Sequence, residues 1–154
     1  MDVLKKILEE FQNYEHEHLK HEHVHTSQDA AKIRGNTVEQ AAKAIIMKAK
    51  KNGEYMYIQF ILSGSKKVDT KKMKKELELK KLSLASAEEV LKITGCTVGS
   101  VPPMGHLFNL KTYMDEHLLE LETIYFSAGT HHDSVKTKPE LLKKIVNPEI
   151  ISVS

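Results

Sequence analysis

A chain of 154 residues with 40% hydrophobic and 29% charged side chains has the length of one ordinary domain and the composition of a packed one, which excludes a disordered or fibrous protein. Its one cysteine, Cys96, excludes an internal disulfide and a thiolate zinc cage and fits a reducing cytoplasm. The net charge of +2 does not by itself announce nucleic acid. No apolar run approaches the roughly 20 residues of a membrane span, and charges interrupt the amino-terminal one where a signal peptide would be apolar.

Val3, Leu4, Ile7, Leu8, Phe11 and Tyr14 recur at helical spacing, so the first element is expected to be an amphipathic helix over about residues 2–20. Five of the nine histidines follow in E-H-E-H-L-K-H-E-H-V-H, and His21 to His25 match the zinc-protease pattern H-E-x-x-H. That chemistry needs one helix to bring His21 and His25 onto a single ion. T-S-Q-D-A-A, however, is a helix start with Thr26 or Ser27 as N-cap and Asp29 in the first turn, and Gly35 closes that helix. His25 is therefore expected in a junction, residues 1–25 form a histidine-rich helix and junction, and no catalytic metal is expected. Weak nickel or zinc binding by the exposed imidazoles stays open.

Thr37 opens a short helical turn that closes around Gln40, and Lys43 stands at the entrance of a strand. Asn52-Gly53 between two strand-like runs predicts a hairpin with a type I′ turn. Asp69 or Thr70 caps a lysine-rich helix to about Leu79. The run from Lys66 to Lys81 carries a positive surplus that could meet phosphates or be a solvated face. K-K-L-S-L-A predicts a strand, and S-A-E-E-V-L-K-I-T-G a helix with Ser86 and Glu89 as capping box and Gly95 at its end. There follow a Gly/Pro loop (V-G-S-V-P-P-M-G-H), a strand over 110–114, a helical piece over 116–121, the strand I-Y-F-S-A-G, a turn at T-H-H-D, the strand S-V-K-T-K and a closing helix that begins at Pro139. Strands and helices are interspersed without regular alternation, which predicts a mixed sheet in an α+β domain.

Four places could carry chemistry: Lys43, the loop from Gly99 to His106, Asp115, and Ser127-Ala128-Gly129. Each has a plainer reading, as a surface lysine, a tight turn, an N-cap and a strand end. No His-Asp relay accompanies Ser127, so a serine-hydrolase triad is unsupported, and His131-His132 reads as an exposed turn.

V-E-Q-A-A-K-A-I, K-L-S-L-A-S-A-E-E-V-L-K-I-T-G-C-T-V-G-S-V-P-P-M-G-H, Y-M-D-E and I-Y-F-S-A-G-T, in this order, resemble the YbaK family. These are aminoacyl-tRNA editing domains, free-standing or inserted in bacterial prolyl-tRNA synthetases. The resemblance covers about residues 26–145 and implies a single domain with a curved, barrel-like mixed sheet surrounded by helices. It implies a cytoplasmic, trans-acting deacylase that hydrolyses the ester of mischarged tRNA without metal or cofactor, using water activated by the substrate's own hydroxyl or amine. Lys43 matches the family's functional lysine and is the implied catalytic residue, its ammonium holding either the terminal nucleotide's phosphate or the substrate carbonyl. Gly99, Ser100, Val101, Pro103, Gly105 and His106 from the loop, with Asp115, Ser127, Ala128 and Gly129, are the implied substrate contacts. The implied partners are the 3′ acceptor end of tRNA and, as a further partner, an aminoacyl-tRNA synthetase; neither membrane nor DNA is implied. A non-catalytic module of the same fold that binds tRNA 3′ ends or a synthetase is the alternative. The histidine-rich amino-terminal segment is not a family motif, so a metal or docking role there is left open.

Overall fold

A computed structural model describes residues 1–24 and 26–154; the expected junction at His25 lies outside them. The first helix, α1 (Val3–Phe11), starts where the Asp2 carboxylate accepts the Lys5 amide at 3.1 Å and buries Val3, Ile7 and Phe11 along one face. Nine residues are too few for a stable helix in water. The three buried side chains, at about 1.5–3 kcal/mol each, hold it instead.

The helix does not run on to Lys20. It stops at Phe11, and β1 (His16–Lys20) is a strand. His16 and His18 are half-buried on either side of an exposed Glu17, and His18 turns inward to Asp133, its Nε2 2.7 Å from Oδ1. The expected helix was too long because Tyr14 continues the apolar spacing past the true end.

After α2 (Ser27–Arg34), capped by Thr26 and ended by Gly35 at φ 79°, a single 3₁₀ turn (Val38–Gln40) with a Thr37/Gln40 capping box leads into β2 (Ala42–Lys51) and β3 (Glu54–Ser63). Asn52 and Gly53 both have positive φ, 51° and 79°, as a type I′ turn requires. Helix α3 (Thr70–Glu76) is shorter than expected. The strand β4 (Lys81–Leu84), the capping box and Gly95 end of α4 (Ala87–Thr94), and the strand β5 (Lys111–Asp115) match the expectations. So do β6 (Ile124–Ser127), β7 (Asp133–Thr137) and α5 (Pro139–Val146). A last strand, β8 (Glu149–Ile151), was not expected; at three residues it has no periodicity to read.

The strands form two sheets, β1-β7-β6 and β4-β2-β3-β5-β8. The second is mixed: β2 pairs antiparallel with β3 and β4, whereas β3–β5 and β5–β8 are parallel. The fold is the expected mixed α+β, but among the described residues the sheets do not close into a barrel. One parallel bridge, Ala41 to Tyr125, joins them. One core cluster gathers Ile7, Phe11, Ile46, Met114, Phe126 and Leu142; a second, across the larger sheet, gathers Met47, Phe60, Met73 and Val153.

Candidate functional site

The β2 edge explains why a cavity forms at the junction of the sheets. Pairing with β4 runs from Lys50↔Lys81 only as far as Met47↔Leu84, and the Ile46 carbonyl accepts the Ala85 amide just beyond, at 3.0 Å. Polar groups along a strand alternate sides, so Ala44 turns its own N–H and C=O to the same edge, where β4 no longer reaches. On the other side β6 meets the chain at Ala41. Between these points lies a cavity of about 270 Å³, walled by Ala41, Ala42, Lys43, Ala44 and Ile45 of the β2 edge, by Val98, Gly99 and Val101, by Tyr125, Phe126 and Ser127, and by Val24, Thr26, Ala30 and Arg34.

Four of the expected site residues meet here: Lys43, Gly99, Val101 and Ser127. Gly99 has φ 92°, a conformation that glycine adopts freely. Its amide donates to no group among the described residues. Lys43 is half-buried, and its ammonium donates to the Gly64 carbonyl at 3.4 Å and to the Lys66 carbonyl. Burial, and secondarily the charge of Lys67, push its pKa below the ordinary lysine value. A Cβ on Gly64 would lie 2.7 Å from the Val38 carbonyl oxygen, so the loop that holds the ammonium packs tightly.

The other expected residues sit around the cavity rather than in its wall. Ser100 is buried; its hydroxyl donates to Thr97 O at 2.8 Å and its carbonyl accepts Gly129 N at 2.9 Å, tying the Gly99 loop to the end of β6. Ala128 is fully buried. A Cβ on Gly129, at φ 89°, would lie 2.9 Å from Val3 Cγ1, so this glycine lets α1 pack. Pro103 is buried, and the neighbouring Pro102 carbonyl accepts Gln59 Nε2 at 3.1 Å. Gly105 packs against β5, with no room for a side chain: a Cβ there would be 2.1 Å from Thr112 Oγ1. His106 Nε2 lies 2.6 Å from Glu10 Oε1 on α1. Asp115 is fully buried and accepts Val153 N at 3.1 Å and Ser154 Oγ at 3.3 Å, anchoring the carboxy terminus.

Of the wall residues that the sequence reading did not place at the site, three bear on its chemistry. Ala44 matters through its backbone, which no side-chain pattern reports. Tyr125 sat unremarked in the I-Y-F-S strand. Arg34 lies just before a helix-ending glycine, where a cation is ordinarily read as complementing the helix dipole.

The histidine-rich segment straps the cavity wall in place. His21 N donates to His132 O at 2.9 Å and Val24 N to His131 O at 3.1 Å. The His131 ring has Nδ1 2.8 Å from Val24 O and Nε2 2.6 Å from Thr97 Oγ1. A carbonyl only accepts, so Nδ1 carries the proton, and in the neutral ring Nε2 accepts from the threonine. His21 is not helical, and its Nε2 lies 2.8 Å from Ser134 Oγ, so the zinc-protease helix is absent. Among the described residues no group of three His, Cys, Asp or Glu could hold a metal ion.

No described side chain in the cavity wall is a carboxylate or an imidazole, the groups that most often serve as general base. The wall instead offers an unpaired strand edge, a free amide, a hydroxyl and two cations.

The family model for the aminoacyl-tRNA editing domain matches residues 21–145. The Multifunctional Ser/Thr-tRNA deacylase ProXp-y of Escherichia coli (strain K12) is 33% identical over 133 residues, 86% of this chain and 80% of that protein. Proline--tRNA ligase of Staphylococcus haemolyticus (strain JCSC1435) is 26% identical over 112 residues, 71% of this chain but 19% of the synthetase. A crystal structure of a candidate trans-editing enzyme for prolyl-tRNA synthetase superposes with a TM-score of 0.84 at 23% identity, covering 100% of this chain and 98% of that one.

Proposed function

The chain belongs to the aminoacyl-tRNA editing domain family, and on that footing we propose that it is a trans-acting deacylase, a hydrolase that cleaves the ester between a wrongly attached amino acid and the 3′ end of tRNA. The single observation that carries the reading is the cavity at the open β2 edge, which brings Lys43, Gly99 and Ser127 together around a small apolar wall.

The chemistry follows from what an aminoacyl ester needs. Water adds to the ester carbonyl carbon, the carbonyl oxygen becomes an oxyanion, and collapse expels the ribose oxygen, which takes a proton to leave free tRNA and free amino acid. The unengaged Gly99 amide is the donor available to the developing oxyanion, and a preorganised donor of this kind is commonly worth about 10²–10³ in rate. The Ala44 carbonyl and the Ser127 hydroxyl are acceptors for the N–H groups of the substrate's α-amine. With no carboxylate or imidazole in the described wall, the attacking water gives its proton to the substrate's own neutral amine, or through the vicinal hydroxyl to the departing ribose oxygen. Lys43 supplies positive charge at the rim, fixed by the Gly64 and Lys66 carbonyls.

Ala41, Ala42 and Ala44 leave room for a small acyl group, and the E. coli relative is named for seryl and threonyl esters. Small hydroxylated amino acids are therefore the substrate class proposed here. Discrimination between such side chains by binding alone yields only about 1–3 kcal/mol per methylene, which is why a second, hydrolytic site is needed. Incubation with a panel of mischarged tRNAs tests the reading: free amino acid should appear from seryl or threonyl esters, and turnover of no panel member refutes it.

A further inference from the structure

Of the 23 lysines and arginines in the chain, one is an arginine, Arg34, and it stands in the wall of the cavity. Its Nε donates to Asn36 Oδ1 at 3.1 Å and its Nη1 to Ser134 Oγ at 3.3 Å. These neutral partners engage two of the five N–H donors of a guanidinium. No carboxylate among the described residues pairs with it. Among the described residues it also lies over the face of Tyr125, whose ring centroid is 5.7 Å from the guanidinium carbon. Burial draws its pKa down to about 10, with Tyr125 opposing the shift, so the group is still charged at neutral pH.

A partly buried charge without a counter-charge is unfavourable, and folded proteins ordinarily pair it. The helix dipole does not account for it. Lys32 already sits in the last turn of α2, and a lysine would complement the dipole as well. What separates arginine from lysine is the planar fork that matches phosphate or carboxylate in two bonds. The second cation in the same wall, Lys43, places two of its three donors on carbonyls, whereas the planar fork of Arg34 keeps three of its five among the described residues, so a two-bond grip on an anion falls to Arg34.

An aminoacyl ester has no free α-carboxylate, because that carbon is in the ester. Its nearest anion is the phosphodiester that links the terminal adenosine to the rest of the acceptor strand. We propose that Arg34 binds this terminal phosphodiester and thereby sets the depth to which the acylated ribose enters the cavity. The proposal rests on the deacylase reading and adds to it a positioning residue for the nucleic acid, held rigid by Asn36 and Ser134 rather than by a surface contact.

The test uses the full chain with Arg34→Gln, which keeps a neutral donor at the Nε position for Asn36 and loses the charge, and Arg34→Lys, which keeps the charge and loses the fork. Equilibrium binding of uncharged tRNA and deacylation of a charged tRNA are each measured over a potassium chloride series, with thermal unfolding to verify the fold. Each phosphate contact to a single strand contributes about 0.7 to the slope of log affinity against log salt. Arg34→Gln should lower that slope by about 0.7 and raise KM about tenfold or more. Arg34→Lys should restore the slope but not the whole of KM. An unchanged slope in Arg34→Gln, or a kcat loss at unchanged KM shared by both variants, overturns the proposal. Absence of hydrolysis by the parent chain sinks the deacylase reading, while the binding slope still decides the role of Arg34.

Discussion

Lys43→Ala separates catalysis from architecture. The side chain is half-buried, with its ammonium on the Gly64 and Lys66 carbonyls. The lowered pKa means that burial and the repulsion from Lys67 outweigh what the two carbonyls give the charge, so the stability lost on truncation is that of the half-buried aliphatic stem, about 1 kcal/mol. For a chain of this length that is about 2–4 °C in Tm. If the same charge stabilises the transition state, its removal costs about 10²–10³ in kcat/KM, or about 2.7–4 kcal/mol. The two effects differ enough to be told apart by deacylation kinetics and thermal unfolding on the same preparation. pH gives a second handle. The Lys43 pKa is lowered in the fold from 10.5, so the unfolded chain holds this proton more tightly. Raising pH through the folded pKa toward the unfolded value then removes a destabilising contribution of this group while neutralising the charge that activity uses. Activity should fall at a pH where this residue's contribution to stability rises. A folded Lys43→Ala variant with kcat/KM within threefold of the parent would refute the reasoning.

Gly105→Ala should lower stability by about 1–3 kcal/mol or more, read by urea unfolding, because the new Cβ would meet Thr112 Oγ1 at 2.1 Å. Asp115→Asn should destabilise by about 1–2 kcal/mol, because the amide can keep its oxygen on the Val153 N–H and turn its nitrogen to the Ser154 hydroxyl, but the charge that strengthens both bonds is lost; kcat/KM per folded molecule should stay within a few-fold of the parent. For Asp133, burial alone would raise the carboxylate pKa, but the bonds from Thr130 and His18 outweigh it and the net shift is downward. The stability it contributes is present above the unfolded value of 3.8 and lost as pH falls through the lower folded one. Asp133→Asn should flatten that acid limb in pH-dependent unfolding, and an unaltered limb would contradict the assignment.

The sequence was most readable where a local rule acts alone. Asn52-Gly53, the Ser86/Glu89 box and the Gly35 and Gly95 helix ends each follow from a few adjacent residues, and each lies where expected. The β1 strand was not readable, because histidine is neither clearly apolar nor clearly polar and its partner, β7, lies more than a hundred residues away. The site divided in the same way. Lys43 and Gly99 could be named from the sequence, and both reach the cavity. Asp115 ends β5 and His106 lies in the short helical turn after the Gly99 loop, yet their partners, the carboxy terminus and α1, are known only once the chain has folded. Arg34 and the Ala44 edge emerge only from the way β4 stops short and α2 leans over the gap.

The most direct measurement is a crystal structure with a non-hydrolysable amide analogue of a 3′-seryl adenosine nucleotide. The account predicts the acyl group against Ala42 and Ala44, with its carbonyl oxygen within about 3.2 Å of the Gly99 amide nitrogen. An analogue seated elsewhere, on the lysines of α3 for instance, with the β2 edge still unoccupied, would contradict it.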